Sequence, residues 1–197
     1  IDIHLSFRVM PGHERDFGWV LVAIEDITAR KKAEDYLRYL GTHDVMTSLY
    51  NRAYFEETLL KLEKRHAEPL SVLIADVNGL KTVNDTLGHQ AGDSLIRRAA
   101  EVLRAALDKD QVAARIGGDE FAAFLTHCDE ARAQELVKQI GALIELNNKY
   151  YREPLLSISI GTATSQPGMT VQELIRMADD AMYDRKARHH QRGKYTP

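Results

Sequence analysis

Arg115-Ile116-Gly117-Gly118-Asp119-Glu120-Phe121 joins two short apolar runs, residues 112–116 and 121–125, through paired glycines followed by paired carboxylates. Apolar runs of that length, punctuated by glycine, read as strands. A two-residue glycine link between them predicts a tight hairpin with positive φ at the turn. Without Cβ atoms the backbone there is open to a bulky phosphorylated ligand. Residues leaving the turn alternate across the pleat, sending Asp119 and Glu120 to opposite faces. Two acids beside open backbone point to a bound metal. An ordinary hairpin with solvated acids has the same local sequence, so a second element has to decide.

That element is Leu70-Ser71-Val72-Leu73-Ile74-Ala75-Asp76, a continuous apolar run of the kind that forms a strand buried on both faces, ending in a carboxylate. An acid at the mouth of a buried strand is costly unless it is paired or metal-bound. Residues 77–93 follow, rich in glycine, amide and acid side chains, and read as a loop-and-turn region. Such a loop offers backbone N–H groups and Lys81 to phosphates, with Asn84 and Asp93 placed to read a base.

Together these stretches resemble the GGDEF family of diguanylate cyclases. The core motif stands intact at Gly117-Gly118-Asp119-Glu120-Phe121. The Asn-Asp-x-x-Gly-His-x-x-Gly-Asp run occupies positions 84–93, and Asp44-Val45-Met46-Thr47-Ser48-Leu49-Tyr50-Asn51-Arg52 is similar to the family's opening segment, with Met46 in a leucine place. Three long motifs in fixed order make the match specific, over about residues 43–190.

The resemblance implies a palm-like nucleotide-cyclase fold, and the residues agree. Strands interleaved with helices and one hairpin predict an α/β (α+β) domain, a mixed central sheet with helices packed over it. Helices are expected over residues 51–64, 93–106 and 131–149, with Leu95, Ile96, Ala99, Val102 and Leu103 on one face of the second. Leu156, Ile158 and Ile160 alternate with Ser157 and Ser159 in a further strand, and Thr170 with Glu173 forms a capping box opening a last helix. N-terminal to this domain, residues 1–9 and 17–24 read as a β-hairpin around Pro11-Gly12. Residues 26–34 resemble the junction that ends PAS sensor domains. We therefore expect a C-terminal PAS-like fragment over 1–28, a signalling linker helix over 29–42 with Ala33, Leu37 and Leu40 on one face, and the cyclase domain over 43–197, the whole cut from a longer protein.

Of 197 residues, 44% are hydrophobic and 28% charged, with a formal net charge of −3. No general basic field exists, so nucleic acid is not an expected partner, and a polyphosphate must be held locally. Cys128 alone excludes an intrachain disulfide framework and a cysteine-rich zinc site. No apolar stretch reaches membrane-spanning length and no signal-peptide pattern opens the chain, so we expect a cytoplasmic segment without membrane contact of its own.

The resemblance implies chemistry residue by residue. Asp76 and Asp119 are the expected ligands of Mg2+ (or Mn2+), with the Val77 carbonyl beside them and Glu120 either a further ligand or the base near the reacting hydroxyl. Gly79, Leu80 and Lys81 match the phosphate-cradling turn, Asn84 and Asp93 the guanine-reading pair, Lys186 the lysine that reaches the terminal phosphates. A carboxylate suits guanine because it accepts from both N1–H and the exocyclic amine. Asp93 can also serve as N-cap of its helix. The expected substrate is GTP, the expected active species a homodimer, and an upstream sensor the expected regulator. Three positions depart from the family pattern: Asn78 stands for an aspartate, Leu80 for a phenylalanine and His190 for an arginine. Asp108-Lys109-Asp110-Gln111 replaces the Arg-x-x-Asp of the product-inhibition site. The competing reading is a domain that binds GTP without turnover.

Overall fold

The computed structural model describes residues 1–12, 15, 20–65 and 69–193, without the side chains of Arg65 and residues 189–193. It divides into two units, residues 1–41 and 42–197. In the first, β1 (Ile3–Val9) pairs antiparallel with β2 (Val20–Asp26), and α1 (Thr28–Thr42) follows directly. Phe17 and Trp19, expected at the start of β2, lie outside the described residues. Pairing of Leu5 with Ile24 and Phe7 with Val22 puts apolar side chains on one sheet face, and Phe7 and Ile24 are 68% and 70% exposed. The Asp2–Thr28 and Lys31–Asp2 contacts, both 2.8 Å, tie the strand start to the helix. No α1 residue is buried.

The second unit continues with β3 (Tyr50–Asn51), α2 (Arg52–Arg65), β4 (Leu70–Val77), α3 (Leu80–Leu87), α4 (His89–Ala106), β5 (Val112–Arg115), β6 (Glu120–Thr126), α5 (Glu130–Tyr150), β7 (Ile158–Thr164) and α6 (Val171–Gly193). Five strands form one mixed sheet in the order β3-β5-β6-β4-β7, parallel only between β3 and β5. β4 is buried at every position, as its unbroken apolar run requires.

Strand alternation then sorts the core into two layers. Leu73, Ala75 and Val77 of β4 and Phe121, Ala123 and Leu125 of β6 pack against Leu95, Leu103 and Ile140 of α4 and α5. Val72 and Ile74 with Ala122 and Phe124 pack against α2 and α6, where the Phe55 and Phe124 rings stack 4.3 Å apart. Each of the valine, leucine, isoleucine and phenylalanine side chains buried here contributes about 1.5–3 kcal/mol relative to exposure. By the same alternation Asp76 and Glu120, directly opposite each other in the β4–β6 register, share the α2/α6 side.

Two expectations need correction. The glycine link is not a two-residue primed turn: β5 ends at Arg115 and β6 begins at Glu120, and neither Gly117 nor Gly118 has left-handed φ. Four residues share the reversal, so none of them must take up positive φ. Gly117 has a different part: the exposed Glu120 carboxylate lies where a Cβ would stand, so a side chain at 117 would displace it. Likewise residues 77–93 are not a loop. Val83 and Leu80 turn inward on α3, and irregular backbone is confined to Asn78-Gly79 and to Gly88, both glycines having positive φ. Gly88 therefore caps α4, and Asp93 lies in its second turn rather than at its N-cap.

The last helix begins where expected. Thr170 N donates to Glu173 Oε2 at 2.9 Å and Glu173 N to Thr170 Oγ1 at 3.2 Å, while Glu63 of α2 accepts from Val171 N at 3.0 Å. Further along, α6 lies so close to β7 that a Cβ on Gly161 would meet the Ala178 carbonyl and the Met182 backbone. No helix among the described residues is long and apolar enough to cross a membrane.

Gly161→Ala is accordingly expected to destabilise the domain by about 1–3 kcal/mol through backbone overpacking. Gly141→Ala, in α5 with open space at its Cβ position, is expected to stabilise it by about 0.5–1 kcal/mol. Urea unfolding midpoints at unchanged m-value check both signs.

Candidate active site

The end of β4 brings together Asp76, Lys186 and the backbone at Asp119 and Glu120. Asp76 is 3% exposed, and its Oδ2 lies 2.6 Å from Nζ of Lys186 on α6. A carboxylate this deep is costly to leave uncompensated, and the ammonium offsets that cost. The close approach at Gly161 is what puts Lys186, one turn beyond Met182, within reach. One residue on, Val77 N donates to the Asp119 carbonyl at 3.0 Å, so the β5–β6 loop is stitched to β4 beside Asp76. Asp119 is half-buried; Glu120 is exposed, its carboxylate lying over Gly117.

Arg115 holds the loop from the other side. Its guanidinium donates to the Gly118 carbonyl at 2.8 Å and pairs with Asp44 at 3.2 Å, the two side chains 16% and 24% exposed. Asp44 in turn accepts from Thr47 N and Thr47 Oγ1 at 2.9 and 2.7 Å. Burial pushes the Asp44 carboxyl up, but the Thr47 hydrogen bonds and the Arg115 charge outweigh it and hold the group below its ordinary value. The Asp44–Thr47 segment was read in the sequence only as a family signature. Its partner is 71 positions away in the chain, and no local pattern reveals it.

Next to the strand end, Gly79 caps α3 with φ 73° and without a side-chain hydrogen bond. The first-turn N–H groups there, those of Leu80 and Lys81 included, have the geometry that binds anions at a helix start. Asn84 and Asp93 come together where α3 meets α4: a Cβ on Gly92 would collide with Asn84 Oδ1, so the amide rests on the backbone beside Asp93. Asp93 is half-buried and 3.7 Å from Arg97. His190 lies on the helical backbone of α6, its side chain outside the described residues. A cavity of about 450 Å³ opens beside Glu120, floored by Phe55, Ile74 and Ile116 and edged by Arg52 and Arg176.

Sequence reasoning also passed over two serines, Ser157 just before β7 and Ser159 within it. Ser159 is buried, and its hydroxyl donates to the Asn78 amide oxygen at 2.9 Å. The alternation with Leu156, Ile158 and Ile160 was the available signal, but it reads equally as a solvated face. Among the described residues no three His, Cys, Asp or Glu side chains form a ready cation cage. The donors at the strand end are hard oxygens, however, and magnesium binds through one or two carboxylates completed by substrate phosphates and water rather than through an all-protein cage. The residues present fit such an ion.

Comparison with known proteins follows the same lines. The family described as diguanylate cyclase, GGDEF domain, matches residues 41–192. The probable diguanylate cyclase DgcT of Escherichia coli (strain K12) is 34% identical over 153 residues, 75% of this chain and 34% of that protein. The cyclic di-GMP phosphodiesterase PdeB of Shewanella oneidensis is 32% identical over 192 residues, 94% of this chain but 22% of PdeB. Among solved structures, the GGDEF domain of DgcB from Caulobacter crescentus, in complex with c-di-GMP, superposes with a TM-score of 0.66 at 28% identity, covering 74% of this chain and 90% of that one. The chain spans about a third or less of the length of these curated relatives.

The Asp44 environment makes a pH prediction. A carboxyl held below its unfolded value of about 3.9 adds stability that is complete above that value and disappears as pH falls through the folded one. The stability difference between the parent and Asp44→Asn should be constant from neutrality to about pH 5 and shrink below about pH 4, as read from urea unfolding at each pH.

Proposed function

The chain belongs to the GGDEF family of diguanylate cyclase domains, and from that premise we propose that it condenses two GTP molecules into cyclic di-GMP. The observation that carries this reading is the convergence at one strand end of Asp76, the Val77 peptide and the backbone of Asp119 and Glu120, beside a helix start without a side-chain cap. In each of two equivalent steps a ribose 3′-oxygen forms a bond to the α-phosphorus of the other nucleotide, the bond to pyrophosphate breaks, and the hydroxyl proton is lost. Two pyrophosphates leave. Asp76, the Val77 carbonyl, Asp119 and Glu120 are the groups that would hold Mg2+ or Mn2+, which supplies acidification of the hydroxyl and neutralisation of phosphate oxygens when bound.

The protein's own residues do the rest. Gly79, Leu80 and Lys81 receive the phosphates at the start of α3. Asn84 and Asp93 orient guanine, the carboxylate accepting from N1–H and the exocyclic amine, a donor pair that adenine lacks. Lys186 exchanges its contact with Asp76 for the terminal phosphates as the nucleotide arrives. Glu120, exposed and on the same sheet side as Asp76, stands where it can take the hydroxyl proton. An imidazole at position 190 lacks the two-pronged donor fork with which an arginine grips phosphate, so the hold on the terminal phosphates is weaker there. Because the product is two-fold symmetric, two copies must face each other, and the active species is a homodimer. The exposed apolar face of the β1–β2 hairpin supports reading residues 1–28 as the end of a PAS-like sensor that governs this encounter through the 29–42 linker. The segment works in the cytoplasm, where GTP is available.

One observation favours a second reading. With Lys186 seated on Asp76, the pair is charge-balanced as it stands, which suits a domain that binds GTP and regulates a neighbour without turnover. Incubation with GTP and Mg2+ followed by mass analysis separates the two. We expect cyclic di-GMP from the parent and a loss of at least about 100-fold with Asp119→Asn, the scale of removing a group that acts in the transition state; tight GTP binding without product selects the regulatory reading.

Product inhibition is a separate test. Asp108 is paired with Arg132 at 2.9 Å, and the Asp108 and Gln111 backbones close a turn on themselves. Nothing in that turn matches the arginine that grips product phosphates. Initial rates are expected to stay unchanged on adding cyclic di-GMP well above substrate concentration; non-competitive inhibition would refute this.

A further inference from the structure

Asn78 follows the Val77 carbonyl directly and is 8% exposed. Its backbone N–H donates to the Ser157 carbonyl at 2.9 Å, its amide nitrogen donates to Ser157 Oγ at 3.0 Å, and its amide oxygen accepts from Ser159 Oγ at 2.9 Å. In the preceding peptide, Val77 N donates to the Asp119 carbonyl. The backbone at Val77 and Asn78 is thus held by the segments leading into β6 and β7, and Ser159 stands opposite Asp76 in the β4–β7 register. A primary amide carries its donor and its acceptor on separate atoms, so it reaches both flanking hydroxyls at once.

The segment that delivers Ser157 is itself fixed. Both the N–H and the carbonyl of Leu156 are bound by the Asn148 amide, at 2.7 and 2.8 Å. Buried Arg98 of α4 donates to Asn148 Oδ1 at 3.1 Å and to the Pro154 carbonyl at 2.7 Å. Buried networks with every member satisfied rigidify what they touch.

We infer that Asn78 is a positioning residue for the active site: its amide, shared between Ser157 and Ser159, sets where the Val77 carbonyl and the Asp76 carboxylate present their oxygens. This rests on the cyclase reading above. The departure from the family's aspartate is then a change of means, in which hydrogen-bond geometry replaces charge beside the cation-binding oxygens. An aspartate keeps two acceptors that both serine hydroxyls can reach as donors, so it preserves the geometry; alanine removes it.

The test compares the full chain with Asn78→Ala, Asn78→Asp, Ser159→Ala and Ser71→Ala. Ser71 is the control, since it too is buried on β4 and bonded to a β7 hydroxyl, Thr164 at 2.7 Å, but at the far end of the strand. Three readouts are taken: thermal stability, amide hydrogen exchange at Val77 and Asn78, and the Mn2+ concentration for half-maximal turnover. Asn78→Ala and Ser159→Ala should speed exchange at both amides and raise the Mn2+ requirement about tenfold, with Asn78→Asp within about threefold of the parent. Ser71→Ala should lower stability alone. An unchanged Mn2+ requirement in Asn78→Ala, or an equal rise in Ser71→Ala, overturns the inference. A parent chain that makes no cyclic di-GMP overturns the cyclase reading instead; unchanged exchange at Val77 in Asn78→Ala then overturns the positioning role without reference to turnover.

Discussion

A carboxylate sunk at the end of a fully buried strand is the constraint from which the rest of this domain follows. Asp76 cannot face water, because β4 has strands on both edges and helices over both faces. It must be compensated from within, and the structure does so with an ammonium carried on the last helix. To bring that helix close enough, β7 gives up a side chain at Gly161 and α2 lends Glu63 to the helix start. Elements more than a hundred residues apart are thus arranged around one charge.

Much of this was readable in the chain. The unbroken apolar run of β4, the paired apolar runs of β5 and β6, and the Thr170–Glu173 capping box each depend on local patterning, and each appears where expected. The mixed sheet with helices over it followed from their order. The turn chemistry was legible only in part. Paired glycines signal a reversal, but whether they supply positive φ or merely room depends on loop length, and here Gly117 makes room for Glu120. The 77–93 stretch misled because two of its three glycines, Gly79 and Gly88, sit at helix ends while most of its polar residues lie along exposed helix faces.

What stayed hidden was long-range pairing of polar groups. Arg115 with Asp44, and Asn78 with Ser157 and Ser159, join positions that no periodicity connects. A serine alternating with leucine and isoleucine looks the same in sequence whether it meets solvent or a buried amide. The register of β4 against β7 decides, and register is a property of the folded sheet.

The connection between α3 and α4 is a single residue. Gly88 ends one helix and starts the next, with φ 83° and ψ 162°, and its N–H is tied back to the Asn84 carbonyl. A joint of one residue has almost no slack, so the two helices behave like the arms of a caliper locked at a set opening. Asn84 on one arm and Asp93 on the other are held at a spacing set when the chain folds, and a base read by the two, as proposed, would have to match that gap.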